Sequence, residues 1–161
     1  MEKDKRKLII YQAKNGAIEF RGDFDAQIIM KITICGSIAF YDEMLNIKKR
    51  LEQLGHQVKL PIKENKRKLK MNNMNLVCDK KEMAIKLHFQ KVEWCDAILI
   101  LNYDKNNISN YIGGNTLLEL GLAFYLNKKL FLLNEIPEVS YKEEILGMKP
   151  IIINNDLSKI K

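Results

Sequence analysis

The sequence predicts a three-layer α/β domain built on a five-stranded, mostly parallel, doubly wound sheet. Three observations lead there. From residue 31 onward, short β-rich apolar runs alternate with stretches of helical periodicity. The run Ala97-Ile98-Leu99-Ile100-Leu101 is apolar throughout, as expected of a central parallel strand buried on both faces. The intervening segments are long enough for right-handed βαβ crossovers.

Each element follows in order. Leu8-Ile9-Ile10-Tyr11, Asn15-Gly16 and Ala17-Ile18-Glu19-Phe20 read as a β-hairpin with an Asn-Gly turn. Residues 1–29 are expected to be a hairpin extension appended to a main domain at residues 30–161, with an unpaired edge that invites self-association. Ile32-Thr33-Ile34-Cys35 is the domain's first strand, stopped by Gly36-Ser37. Phe40 to Leu54 sets Met44, Leu45, Ile47, Leu51 and Leu54 at helical spacing, and Gly55 ends it. His56 to Pro61 is the second strand. Residues 62–81 hold Lys63, Lys66, Arg67, Lys68 and Lys70 and read as a solvated loop or as a cationic lid for a phosphate. Lys81 to Trp94 is a helix with Met83, Leu87, Val92 and Trp94 as its buried side. After the central strand come a polar loop, Asn102 to Ile112, and a helix from about Asn115 to Asn127. Lys129 to Leu133 is the fourth strand, Tyr141 to Leu146 a short helix, Pro150 to Ile153 the fifth strand, and Asp156 to Lys161 a tail.

Composition narrows the class. The chain has 161 residues, 47% apolar and 29% charged, enough for one globular core. Cys35, Cys78 and Cys95 form no Cys-x-x-Cys pair, so neither a disulfide framework nor a zinc site is expected, and a reducing cytoplasm is. No apolar stretch approaches a membrane span, and the charged N-terminus is unlike a signal peptide. The net charge of +7 comes mostly from dispersed lysine, which indicates nucleic-acid binding only weakly.

In a doubly wound sheet the ligand lies beyond the carboxyl ends of the strands, where strand order reverses. That rule gathers Gly36, Ser37 and Ile38 after the first strand with Asn102 after the central one. It adds Gly113, Gly114, Asn115, Thr116 and Glu119 from the following helix start. Backbone N–H groups at Gly36-Ser37 and at Gly113 to Thr116 suit a phosphate or a sugar hydroxyl. Neither stretch carries Gly-x-Gly-x-x-Gly or Gly-Lys-Ser/Thr, which disfavours a nicotinamide dehydrogenase or a P-loop NTPase. Tyr41 and Tyr111 are candidate rim aromatics. Cys35 shows no activating partner and reads as packing. Thr116-Leu117-Leu118-Glu119 also matches a capping box, so Glu119 has two readings, helix cap and catalyst, which can coexist.

Cys35-Gly36-Ser37-Ile38, Ala97-Ile98-Leu99-Ile100 and Glu119-Leu120-Gly121-Leu122-Ala123 resemble the nucleoside 2-deoxyribosyltransferase superfamily, which includes the deoxynucleoside 5′-monophosphate N-glycosidases. The resemblance spans about residues 30–153 and implies a flavodoxin/Rossmann-like fold. By that resemblance Glu119 matches the nucleophile that attacks the anomeric carbon, and Gly36 and Ser37 match the phosphate-binding segment. The family's catalytic Asp stands eight residues before the Asp that leads the central strand. Asp96 is that leading residue here, and His88 occupies the catalytic position. His88 is read either as orienting a substrate hydroxyl or shuttling a proton, or as a structural histidine. The implied activity is hydrolysis or transfer at the N-glycosidic bond of a (deoxy)nucleoside or its 5′-monophosphate, in a homodimer or higher oligomer, with no cofactor or metal.

A non-catalytic nucleotide-binding module of the same fold is the alternative. A second alternative arises because Gly-Gly-Asn-Thr-x-x-Glu resembles the Pro-Gly-Gly-x-Gly-Thr-x-x-Glu motif of cytokinin-activating phosphoribohydrolases. The segment from Ile10 to Phe24 resembles the N-terminal hairpin of RhuM-type virulence proteins.

Overall fold

The computed structural model of the chain describes residues 10–12, 18–20, 28–63 and 74–161. Strands β1 (Ile10–Gln12) and β2 (Ile18–Phe20) pair antiparallel in a two-stranded sheet, as the hairpin reading expects. Its Asn15-Gly16 turn lies outside the described residues. The main sheet holds β3 (Lys31–Gly36), β4 (Gln57–Lys59), β5 (Ala97–Leu101), β6 (Lys129–Leu132) and β7 (Ile151–Ile152). All five run parallel in the order β4-β3-β5-β6-β7. The chain leaves β3 toward one edge, returns, and crosses to β5, so strand order reverses between β3 and β5. Gly36 and Leu101 lie in register at the carboxyl ends of that pair, which is where the switch-point rule puts a ligand.

The sheet has a helical layer on each side because successive side chains of a strand point to opposite faces. Ile32 and Ile34 of β3 join Leu99 and Leu101 of β5 against Met44, Ile47 and Leu51 of α1 (Tyr41–Gln53). Cys35 joins Ile98, Ile100, Leu130 and Leu132 on the other face. That face is covered by α2 (Met74–Trp94), α3 (Gly114–Tyr125) and α4 (Lys142–Met148). The period of two in β3 therefore delivers Cys35 to the α2–α3 side. Each fully buried aliphatic side chain contributes on the order of 2 kcal/mol, so the central strands form a stiff platform under the crevice.

Several details depart from the sequence-based expectation. Leu45 is exposed, one step off the apolar stripe of α1. Helix α2 begins at Met74, inside the segment expected to be loop, and its residues from Val77 to Met83 are exposed. Its inward residues are His88 and Val92, whereas Met83 and Leu87 are exposed along the crevice. The C-terminal tail folds into a 3-10 turn, Leu157–Lys159, capped by Asp156 and anchored by buried Leu157 and Ile160. Asp96 is structural, as its place before β5 implies: its Oδ2 accepts from the Lys31 backbone N–H at 2.8 Å, at the end of the sheet opposite the crevice. Among the described residues, no helix is long and apolar enough to cross a membrane.

Candidate functional site

A cavity of about 1150 Å³ opens at the carboxyl ends of β3 and β5, between the turn after β3, helix α2 and the start of α3. It is large enough for a nucleotide-sized ligand. Gly36, Ser37, Ile38, Gly113, Gly114, Asn115, Thr116, His88 and Glu119 all line it. Local chemistry explains how they arrive there. Gly36 takes φ +150°, and a Cβ on it would sit 2.9 Å from the Leu101 carbonyl oxygen, so the chain can turn against β5 only as glycine. Ser37 then caps a 3-10 turn, Ile38–Phe40, its Oγ accepting from the Ala39 N–H at 3.4 Å.

Glu119 lies at the inner edge of α3, beside the buried stripe Thr116, Leu120 and Ala123. The helix begins at Gly114 with extended Gly113 as its N-cap, and no side chain caps it. The capping-box reading fails for this reason. Thr116 is already in the first turn and buried, and Glu119 is beyond the orphan N–H groups that a cap would satisfy. Nor does the helix dipole, which fades within the first turn, assist its ionisation.

Three side chains converge at the floor of the crevice. His88 Nε2 is 3.5 Å from Cys35 Sγ and 3.5 Å from Glu119 Oε1. The side chains of His88 and Glu119 are 7% and 12% exposed. Burial pushes Glu119 up from the usual 4.5 to about 7, although a hydrogen bond with Cys35 and the charge of Lys81 pull the other way. Burial also holds His88 down, from 6.5 to about 4, helped by Lys91. The histidine–glutamate contact is within ion-pair distance, yet His88 is uncharged at neutral pH, so it is a polar contact and not a salt bridge. The Cys35 thiol is raised well above its usual value, first by burial and then by Glu119, so it stays protonated and is a poor nucleophile. His88 Nδ1 and Glu119 Oε2 are buried with no hydrogen-bond partner among the described residues.

Asn102 departs from its expected role. It is fully buried and does not line the cavity. Its amide donates to the carbonyls of Asn134 and Glu135 at 3.1 and 2.8 Å, and its Oδ1 accepts from the Asn134 N–H at 2.9 Å. It is a tie between the loops after β5 and β6.

Lys105 was not expected at the site. Lys105 and Ile108 exchange backbone hydrogen bonds at 3.0 Å across Asn106-Asn107, which adopt φ 53° and 60°. Asparagine tolerates the left-handed region that such a two-residue turn demands. The turn brings Lys105 Nζ to 2.7 Å from Ser37 Oγ and 5.5 Å from the centre of the Tyr111 ring. Lys63 Nζ is 4.8 Å from the centre of the Tyr41 ring and 3.2 Å from Asp42 Oδ1, and Lys63, Tyr41, Lys105 and Tyr111 all line the cavity. The Asn-Asn pair is the signal that could have located this turn.

No protein-family model matches the chain, and no curated protein matches it. Among solved structures it is similar to a 2-deoxyribosyltransferase from the psychrotolerant bacterium Bacillus psychrosaccharolyticus, described as a biocatalyst for the synthesis of antiviral and antitumoral nucleosides. The two share 19% identity over 63% of this chain and 70% of that one, with a TM-score of 0.47.

Proposed function

We propose that the chain cleaves the N-glycosidic bond of a (deoxy)nucleoside or its 5′-monophosphate, with Glu119 as nucleophile. The observation that carries this reading is a buried carboxylate at the floor of a nucleotide-sized cavity, on a helix it does not cap. An interior charge without a capping role is costly. A reaction in which that carboxylate meets an electron-poor carbon supplies a reason for it. The Cys-Gly-Ser-Ile and Glu-Leu-Gly-Leu-Ala motifs flank the same cavity and support the same class.

In the proposed reaction the ionised Glu119 attacks the anomeric carbon. The C–N bond breaks, its electron pair leaves with the base, and water from the open cavity protonates that base. A second water (hydrolase) or an incoming base (transferase) then displaces Glu119 from the sugar. His88, neutral and beside Oε1, positions the carboxylate and leaves the leaving-group proton to solvent. Lys63 and Lys105 are suited to a 5′-phosphate, and Tyr41 and Tyr111 to stacking on a base.

The test is a panel of nucleosides and 5′-monophosphates, ribo and deoxy, with free base followed by chromatography. Base release that Glu119→Gln abolishes supports the reading. Tight nucleotide binding without release from any substrate would make the chain a binding module. Release undiminished in Glu119→Gln would remove the mechanism.

A further inference from the structure

The three side chains at the floor of the crevice raise a second question. Nε2 of His88 faces both Cys35 Sγ and Glu119 Oε1 at 3.5 Å, and the donor atoms of the three residues lie within 4.8 Å of one another. An N···O separation of 3.5 Å is long for an N–H···O hydrogen bond, whose usual range is about 2.7–3.2 Å. It is the right separation for two ligands of one tetrahedral ion. Zinc bonds of about 2.3 Å to sulfur and about 2.0–2.1 Å to nitrogen or oxygen place neighbouring ligand atoms roughly 3.3–3.6 Å apart. The donor set is also the right kind: a thiol, an imidazole and a carboxylate, from three separate elements, on a shared centre.

We infer that Cys35 Sγ, His88 Nε2 and Glu119 Oε1 form a binding site for a thiophilic divalent cation of the zinc class. Three protein ligands leave a fourth position open to the cavity, for water or a ligand oxygen. The second observation pointing to an occupant is Glu119 Oε2, buried without a hydrogen-bond partner among the described residues, on a carboxylate whose charge a cation at Oε1 would neutralise. Binding releases the Cys35 thiol proton to solvent and forms the metal–sulfur bond. The carboxylate becomes a ligand and can no longer attack carbon, so the ion inhibits the glycosyl reaction. Only that consequence rests on the proposed function; the site itself does not.

The test titrates the full-length chain anaerobically with Co²⁺, which reports tetrahedral thiolate ligation by a near-ultraviolet charge-transfer band and intense visible bands. One equivalent is expected to develop both, and Zn²⁺ to displace them. Cys35→Ser is expected to lose the charge-transfer band while Cys78→Ser, at an exposed position, keeps it. His88→Ala is expected to weaken binding by well over tenfold, since losing even an outer-shell partner costs about 10–100-fold. Absent bands, or a charge-transfer band that survives Cys35→Ser, would overturn the site. Should Cys35→Ser fail the circular-dichroism check for folding, His88→Ala decides alone: unchanged affinity overturns the site and weakened affinity supports it. In active protein, base release unaffected by stoichiometric Zn²⁺ overturns the inhibitory part. A chain that binds Co²⁺ but releases no base keeps the metal site and loses only the glycosyl reading.

Discussion

Replacing Glu119 by glutamine isolates the cost of holding a carboxylate in this crevice. The unfolded chain titrates the group near 4.5, whereas the fold titrates it at about 7. Below pH 4.5 both states hold the proton and the group contributes nothing to their difference. As pH rises, the unfolded state releases it first, so folding loses stability through this window. At about 1.36 kcal/mol per pH unit, the interval between the two values amounts to about 3 kcal/mol. Above pH 7 both states are ionised and the penalty is constant. Glutamine keeps the shape without titrating. The stability difference between Glu119→Gln and the native chain should therefore grow in favour of the variant by about 3 kcal/mol between pH 4.5 and pH 8. For a domain of this size that is a relative rise in Tm of roughly 6–12 °C. Urea unfolding at the two pH values, with EDTA present, measures it. A difference that is flat with pH, or that moves in favour of the native chain, would refute the assignment of Glu119 as a desolvated carboxylate.

The same ionisation governs the chemistry, so kcat/KM on an uncharged nucleoside should fall about tenfold per unit below pH 7 and level off above it. A rate profile between pH 5.5 and 8.5 checks this; a flat acid limb speaks against an ionised nucleophile. Lys105→Ala should raise KM for a 5′-monophosphate by about tenfold or more and leave the matching nucleoside unchanged, because one charge-assisted hydrogen bond is worth about 1.5–3 kcal/mol. Steady-state kinetics on the two substrates separate the effects, and equal changes on both would place the lysine elsewhere. Asn102→Ala should cost about 3 kcal/mol, since it removes three part-buried hydrogen bonds to the backbone of Asn134 and Glu135, each worth about 1 kcal/mol. Calorimetry should show Tm lowered by roughly 6–12 °C, and a loss under 2 °C would contradict the role of Asn102 as a tie.

Much of this organisation was legible in the chain. The run from Ala97 to Leu101 announced a doubly covered central strand, and it is buried at every position. The switch-point rule gathered nine candidate residues and all but Asn102 line one cavity, because topology alone determines which loops share an end of the sheet; His88, reached through the family resemblance, lines it too. Long-range pairings were not legible. Cys35 seemed to lack a partner because His88 lies 53 residues away, and nothing in either segment marks the encounter. Asn102 has the polarity of a binding residue, yet its partners lie on the loop after β6, 32 and 33 residues on. The Thr-x-x-Glu pattern imitated a cap because the two glycines hid where α3 starts. Met83 and Leu87 looked like core residues because helical spacing shows that a side is apolar, not that anything covers it.

Glu119 as a covalent nucleophile is the centre of this account, and intact-mass spectrometry tests it most directly. The native chain is incubated with 2′-fluoro nucleosides and their 5′-monophosphates, whose electron-withdrawing substituent slows release of a glycosyl-enzyme. The expected result is a mass increase of one glycosyl unit, mapped by proteolysis to the peptide carrying Glu119 and missing from Glu119→Gln. Base release by the native chain with no adduct, or an adduct that persists in Glu119→Gln, would contradict it.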